Sequence, residues 1–309
     1  MKRVSLLLIF IFVAGTVSAQ SVYEFLRMDY SPRAAALAGS FVANYDDPDV
    51  IFYNPAGLGA LEKQPVSFSF VKHLLDVNSA SLTYSREFEG IGRFAAGVQY
   101  ISYGSFTEAD EFGNQTGEFG AGDFSFTLSY ANILAENFFY GVNVKFIYSS
   151  IADYSSTGAA FDVGLQYLIP SSRWSFGFSI VNVGGQLSSY VDTKEDLPLD
   201  MRLGFSKTLA HLPLTFYFQF SRLSDDYDNF GDRFSNFMLG AEIKVSKVFA
   251  LRFGFDNGKR KDMKVGTTAG FAGFNLGLGV NVSGYRVDYA FSSLGTIGSL
   301  HRFGVSTAF

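Results

Sequence analysis

The chain has no cysteine. Disulfide bonds and a lipid-modified N-terminal cysteine are therefore ruled out as ways of holding or anchoring it. Histidine is almost as scarce, with only His73, His211 and His301. None stands in a motif with a nucleophile, a metal-ligating partner or a third orienting group, and no phosphate-binding loop or dinucleotide fingerprint appears. The sequence thus offers no catalytic, metal-binding or cofactor-binding residues and argues against an enzyme. Beyond the first twenty residues no run reaches the ~18 consecutive apolar residues of a membrane-spanning helix, which excludes a helical membrane protein. Charge is sparse too, at 17% of residues with a net charge of −5. No basic block is interleaved with aromatics, so nucleic acid is not an expected partner.

What is plentiful is aromatic or small: 35 Phe, 17 Tyr and 32 Gly. That balance suits a lipid-facing barrel, where aromatic girdles mark the interfaces and glycine eases strand curvature. The first residues read as a secretory signal peptide, predicted over 1–19. Lys2 and Arg3 supply the positive region, Val4 to Val13 a short apolar stretch, and Val17-Ser18-Ala19 the small residues for cleavage after Ala19.

From Gln64 onward the chain alternates with period two, the pattern of β-strands. Phe138, Tyr140, Val142, Val144, Phe146 and Tyr148 share one face, opposed by Phe139, Gly141, Asn143, Lys145, Ile147 and Ser149. Leu214, Phe216, Phe218 and Phe220 oppose Thr215, Tyr217, Gln219 and Ser221, and Phe274, Leu276, Leu278, Val280 and Val282 oppose a small polar face in the same way. The alternation predicts about fourteen strands, near 64–72, 78–89, 91–104, 123–134, 137–150, 157–169, 173–184, 198–209, 213–223, 234–245, 247–256, 273–282, 284–292 and 301–309. Tight turns (Glu89-Gly90, Ala135-Glu136, 170–172, 210–212, Ser246, Ser283) alternate with mostly longer loops (105–122, 151–156, 185–197, 224–233, 257–272, 293–300). Short turns at one end and long loops at the other are the signature of an outer-membrane barrel, with both chain ends on the periplasmic side. In lipid every backbone polar group must be paired within the protein, so the sheet over 64–309 is expected to close on itself. Lys145, Asp162, Arg202, Glu242, Arg286 and Asp288 fall on the inward face and are expected to pair in the lumen.

The longer loops carry the surface chemistry. Residues 105–122 hold Glu108, Asp110, Glu111 and Glu118, and 224–233 hold Asp225, Asp226, Asp228 and Asp232, without the spacing of a calcium-binding loop. The one basic run, Lys259, Arg260, Lys261 and Lys264, is expected to be a solvated loop, with contact to anionic lipopolysaccharide as the alternative. The last strand places Phe303, Val305, Thr307 and Phe309 on one face. It resembles the closing strand of outer-membrane barrels, whose terminal aromatic is read by the assembly machinery, so Phe303, Val305 and Phe309 are the expected assembly signal.

Residues 20–63 do not alternate. Ser31-Pro32-Arg33-Ala34-Ala35-Ala36-Leu37-Ala38-Gly39 predicts a short helix, with Ser31 as cap, Pro32 in the first turn and Gly39 at the end. Asp46-Asp47-Pro48 and Tyr53-Asn54-Pro55-Ala56-Gly57-Leu58 follow, where Asn-Pro sets a turn and Gly57 allows close backbone approach. A compact, partly helical segment ahead of a barrel reads as a hatch that fills the lumen.

A hatch carrying Asn54, Pro55 and Ala56 ahead of a fourteen-stranded barrel resembles the FadL-like outer-membrane barrels, and more closely their PorV/PorQ branch, associated with type IX secretion. Tyr23-Glu24-Phe25-Leu26, the Ser31 to Gly39 run and Asn54 to Leu58 look like that branch. Phe94 to Gly104, Gly113-Asn114 through Gly117-Glu118-Phe119, His211-Leu212-Pro213-Leu214 and Val287 to Ser293 resemble its PorQ members. This likeness implies a non-enzymatic outer-membrane anchor. Its loops would dock a PorZ-like partner in an attachment complex with PorU-like and PorV-like proteins, which links secreted cargo to anionic lipopolysaccharide. The alternative is a FadL-like transporter of hydrophobic molecules. That role needs an apolar pocket above the hatch, near Phe139 and Ile147, and an exit past Asn54-Pro55-Ala56.

Overall fold

The structure, a computed structural model, describes residues 21–63, 65–264 and 269–308. Residues 1–19, expected from the sequence to be a signal peptide, and Phe309 lie outside the described residues. Fourteen strands follow one another around a closed antiparallel barrel. They are β1 (Pro65–Lys72), β2 (Asn78–Phe88), β3 (Gly92–Ala109), β4 (Gln115–Ala135), β5 (Phe138–Ile151), β6 (Tyr154–Ile169) and β7 (Trp174–Ser188). The second half comprises β8 (Asp200–Thr208), β9 (Leu214–Phe220), β10 (Phe237–Lys244), β11 (Phe249–Asp256), β12 (Phe274–Val282), β13 (Tyr285–Ser293) and β14 (Ser299–Ala308). Pairing of β1 with β14, from Pro65↔Ala308 to Lys72↔His301, removes the last sheet edge.

Two predicted loops are strand instead. Residues 105–122 form the outer part of a β3–β4 hairpin whose turn spans only 110–114. The backbone shifts register between Ser102 and Ser105, which breaks the period-two pattern in the sequence just where the hairpin resumes. Beyond the shift Phe106 stacks on Phe119 at 5.3 Å, and Asp110 accepts hydrogen bonds from the Phe112 and Asn114 amides to close the tip. Residues 151–156 likewise shrink to a turn at Ala152–Asp153, because Ile151 pairs with Tyr154.

The barrel wall is inverted relative to a soluble protein. Outward residues such as Phe68, Leu82, Leu128, Val144, Phe161, Leu203, Leu251, Leu276 and Val287 are exposed. A continuous apolar belt of this extent is stable only against lipid. Aromatic girdles bound it. On the periplasmic rim Trp174 packs against Phe205 at 5.4 Å, with the Lys207 ammonium 4.9 Å from its ring. On the opposite rim Phe220 meets Phe234 at 5.2 Å and Phe255 meets Phe274 at 5.1 Å. This protein is an outer-membrane β-barrel.

Residues 21–63 lie inside it. They include α1 (Pro32–Ala36) and 3₁₀ turns at Glu24–Arg27, Pro48–Phe52 and Pro55–Ala60. Pro32 starts α1 as expected, and the Gly39 amide returns to the Ala34 carbonyl at 2.8 Å with Gly39 at φ +77°. Ser31 occupies the cap position, yet its side chain makes no capping hydrogen bond; it faces the Asp49 carboxyl instead. Inward glycines make room for this hatch. A Cβ at Gly254 would overlap the backbone of Ala36–Ala38, one at Gly277 the Ala36 side chain, and one at Gly304 the Pro32 ring. Gly97 clears Ile51 and Phe52, Gly141 and Gly164 clear Asn54 to Ala56, and Gly177 clears Val42 and Ala43. The hatch backbone thus lies directly against the wall.

A closed ring of ion pairs fastens α1. Arg33 grips Glu242 with two hydrogen bonds (2.9 and 3.0 Å), Glu242 accepts from Arg252 (2.6 Å), and Arg252 donates to Asp288 (2.6 Å). Asp288 accepts from Arg286 (2.6 Å), Arg286 reaches Asp47 (2.5 Å), and Asp47 returns to Arg33 (3.4 Å). Asp46 completes the coordination of Arg33 at 2.7 Å. Buried pairs of this kind add little net stability over apolar packing, but removing one member leaves an uncompensated charge at a cost of about 3–5 kcal/mol.

Two outcomes are expected. Gly254→Leu unseats α1 while leaving strand pairing intact. The variant should keep its strand circular dichroism, yet be cut by trypsin at Arg33, which is 3% exposed in the native protein; continued protection of Arg33 contradicts the seating described here. The second concerns Asp49, which accepts from Ser67 (3.1 Å) and Thr83 (3.0 Å). Burial, and then the Asp47 carboxylate, push its carboxyl up to about 7 from the ordinary 3.8. The folded protein therefore binds a proton that the unfolded chain has released between pH 3.8 and about 7. The contribution is full at the acid end of that window and is lost as pH rises through about 7. Hatch protection should weaken from pH 5.5 to 8, and Asp49→Asn should flatten that dependence in a pH series of the same digestion.

Candidate functional site in the plugged lumen

The hatch enters from the outer end, so the start of the described chain near Val22 lies there and not on the periplasmic side, where alternating turn lengths alone place both ends. The Val22 amide donates to the Asp196 carbonyl at 3.0 Å, and Arg27 donates to the Leu199 carbonyl (2.7 Å) and to Asp225 (2.9 Å). The segment then descends through α1 to Tyr45 and Asp46 near the periplasmic rim, turns back through Asn54, and joins β1.

Asn54, Pro55 and Ala56 come together against β5 and β6. The fully buried Asn54 amide donates to the Val42 carbonyl (2.7 Å), the Leu165 carbonyl (3.0 Å) and Gln166 Oε1 (3.0 Å). Its Oδ1 accepts the Ala56 amide at 3.1 Å, which shapes the turn. One side chain therefore ties two hatch segments to each other and to the wall. Gln166 reinforces it by donating to the Ala43 carbonyl at 2.9 Å, and Gln219 Oε1 accepts the Phe41 and Val42 amides at 3.0 and 2.9 Å. Sequence reading passed over both glutamines. Their signal is a long amide on the inward face of a strand.

Toward the outer end, on the side of the tall strands β3 to β7, the hatch forms an apolar cluster with a few residues of an otherwise polar wall. Tyr23, Phe25, Leu26 and Tyr30 of the hatch pack against Ile101, Ile147, Ala160 and Leu197, with Met28, Tyr103 and Tyr190 at the margin. The two residues expected to line an apolar pocket are separated. Ile147 is fully buried in this cluster, whereas Phe139 lies lower, against Gly59 of the hatch. Tyr103 donates to Asp123 at 2.6 Å, and the buried Tyr30 hydroxyl has no partner among the described residues. Of the other charges the sequence places inward, Lys145 pairs with Asp162 at 2.8 Å and Arg202 with Asp200 at 2.6 Å.

The short-strand side holds a polar chamber of about 160 Å³ between hatch and wall, lined by Arg27, Asp29, Tyr53, Arg202, Ser221 and Asp256 among others. Beneath the hatch a basin of about 500 Å³ opens at the periplasmic end between Tyr45, Asp46, Pro65, Tyr285 and Arg286. Phe303 and Val305 face outward at 51% and 45% exposure, opposite Tyr289 and Val287 of β13. The histidines are scattered. His73 bonds Ser79 at 2.9 Å, His301 bonds Tyr289 at 2.8 Å, and His211 lies in the turn between β8 and β9. Lys259, Arg260 and Lys261 fall in a short helix, α2 (Asn257–Asp262), at the outer mouth.

No protein-family model matches the chain, and no curated protein matches it in sequence. Solved structures do resemble it. The Ralstonia pickettii toluene transporter TbuX aligns over 91% of this chain and 97% of its own, with a TM-score of 0.60 and 14% identity. The Pseudomonas putida toluene transporter TodX aligns over 91% and 96%, with a TM-score of 0.59 and 13% identity. A Pseudomonas aeruginosa FadL homologue aligns over 87% and 95%, with a TM-score of 0.54 and 11% identity. These neighbours are transporter or channel barrels rather than enzymes, and at such identities the likeness is one of fold. In fold this chain is a FadL-like outer-membrane barrel.

Proposed function

We propose that the protein is a plugged uptake channel that admits small hydrophobic molecules across the outer membrane. The observation that carries this reading is the apolar cluster in the outer half of the lumen, where the hatch packs Phe25, Leu26 and Tyr30 against Ile101 and Ile147 of the wall. An apolar solute that takes their place gains the same burial, and it shifts the hatch only as far as it prefers the displaced state. The displaced segment runs without a break into α1, so its movement pulls on the Arg33 ring. The solute then passes the Asn54 clamp toward the periplasmic basin. The full-length likeness to toluene transporters supports the reading, while no comparison connects the chain to type IX secretion.

Proteoliposomes holding the purified barrel are expected to take up toluene saturably and faster than protein-free vesicles; equal rates would sink the proposal. Asn54→Ala removes four hydrogen bonds from the clamp, with a loss of about 1–3 kcal/mol for groups left unpaired. Its conductance in planar bilayers should rise above that of the parent protein, and an unchanged baseline would mean that Asn54 does not hold the lumen shut.

A second reading is favoured by the β3–β4 hairpin. Between 105 and 119 it carries Glu108, Asp110, Glu111 and Glu118 with no basic residue, and Phe112 at its tip is 81% exposed. Such a surface suits a PorV/PorQ-like anchor that docks a PorZ-like partner beside PorU-like and PorV-like proteins, with anionic lipopolysaccharide as the final acceptor. Tagged protein isolated gently from its native outer membrane should then retain a large surface protein stoichiometrically, and a variant with the hairpin shortened should lose it. Recovery of the barrel alone would exclude this reading.

A further inference from the structure

The polar chamber on the β8–β11 side of the lumen has no role in passing an apolar solute. Its surroundings differ from those of the apolar cluster in every respect that governs ligand choice. Two of its lining cations keep donors free. Arg202 spends its Nε on Asp200 at 2.6 Å and one Nη1 hydrogen on the Phe52 carbonyl at 3.4 Å, which leaves three of its five N–H donors available, and Arg222 has only a half-exposed contact with Asp262 at 3.5 Å. Two of its anions are similarly underused. The Asp29 carboxylate accepts from the Tyr53 hydroxyl at 3.1 Å and makes no ion pair within 4.0 Å among the described residues. Asp256 accepts the Lys259 amide at 2.9 Å, but the Lys259 ammonium stays 3.9 Å away.

Two further observations point to an occupant. The Ser221 hydroxyl lines the chamber, its residue is only 3% exposed, and it has no hydrogen-bond partner among the described residues; the buried Nε of Arg27 is in the same state. Buried polar groups are rarely left orphaned, because each costs the full desolvation of that group. The chamber is also kept open by backbone geometry. Gly39 adopts φ +77°, and a Cβ there would come within 3.0 Å of the Asp29 carboxylate.

We infer that this chamber is a binding site for a small zwitterionic solute of amino-acid size, held by its ammonium at Asp29 and Asp256 and by its carboxylate at Arg202 and Arg222. Its volume of about 160 Å³ is that of a cavity able to hold a benzene-sized molecule, which suits a solute of few heavy atoms rather than a lipid. A purely apolar ligand would strip water from several charges and return nothing. A ligand of single charge would meet one set of partners and be repelled by the other. Only a dipolar ligand satisfies both. Arg27, Asp29 and Tyr53 belong to the hatch while Arg202, Ser221 and Asp256 belong to the wall, so the bound solute bridges the two and favours the seated hatch by mass action. The inference does not depend on the uptake reading.

The test is calorimetric titration of the full-length protein in detergent with L-serine, L-alanine and L-glutamine, with propionate and ethylammonium as single-charge controls and toluene as an apolar one. Saturable binding of at least one amino acid is expected, at least tenfold tighter than either single-charge control and not competed by toluene. Asp29→Asn and Ser221→Val should each weaken it about tenfold, the scale of one charge-assisted contact. Tyr45→Phe, which lies in the periplasmic basin, should leave it unchanged. Binding should also raise the protection of Arg33 from trypsin. Absence of saturable amino-acid binding, equal affinity for propionate, or full affinity in both chamber variants would overturn the proposal.

Discussion

Arg33 sits where the obligations of a plugged barrel meet. A guanidinium drawn into a lumen sealed from bulk water must have its charge answered on the spot, and here the answer comes from both partners at once. Glu242 supplies it from the wall, and Asp46 and Asp47 supply it from further along the hatch. Because Asp47 also holds Arg286, and Arg286 and Arg252 share Asp288, the ring cannot be assembled unless α1, the 46–47 turn and strands β10, β11 and β13 are all in place. The ring therefore acts more as a specification of register than as a source of net stability. A hatch seated one turn away would leave several buried charges unanswered.

The inward glycines and the ring are complementary. Glycine removes the side chains that would hold the hatch at a distance, and backbone-to-wall contact then allows Asn54, Gln166 and Gln219 to bond hatch carbonyls and amides directly. On the outer surface the requirement is reversed, and each strand presents large apolar side chains to lipid. One alternating sequence meets both demands, which explains why aromatics and glycine dominate the composition together.

Toward the outer end the lumen is divided. On the tall side the N-terminal segment packs its apolar residues against Ile101, Ile147 and Ala160 of an otherwise polar wall, while on the short side charges of both signs surround an unfilled chamber. Both sides share the hatch, so occupancy of either bears on how firmly the hatch is held.

Much of this was legible in the sequence. Strand number, the positions of the tight turns and the inward placement of Lys145, Asp162, Arg202, Glu242, Arg286 and Asp288 follow from period-two alternation, a property of neighbouring residues that survives without knowledge of partners. The short helix at Pro32 was readable for the same reason, since proline and glycine act locally. The β3–β4 hairpin was misread as a loop because a register shift at Ser102–Ser105 reverses the alternation, and nothing local announces the Phe106–Phe119 stack that restores pairing. What the tertiary structure alone decided is which charge meets which. Arg33 and Glu242 are 209 residues apart and Asp47 and Arg286 are 239, and Gly141, Gly164 and Gly254 look like ordinary strand glycines until the hatch backbone is laid against them. Local pattern determines which face a side chain is on; only closure of the barrel around the hatch determines what that face touches.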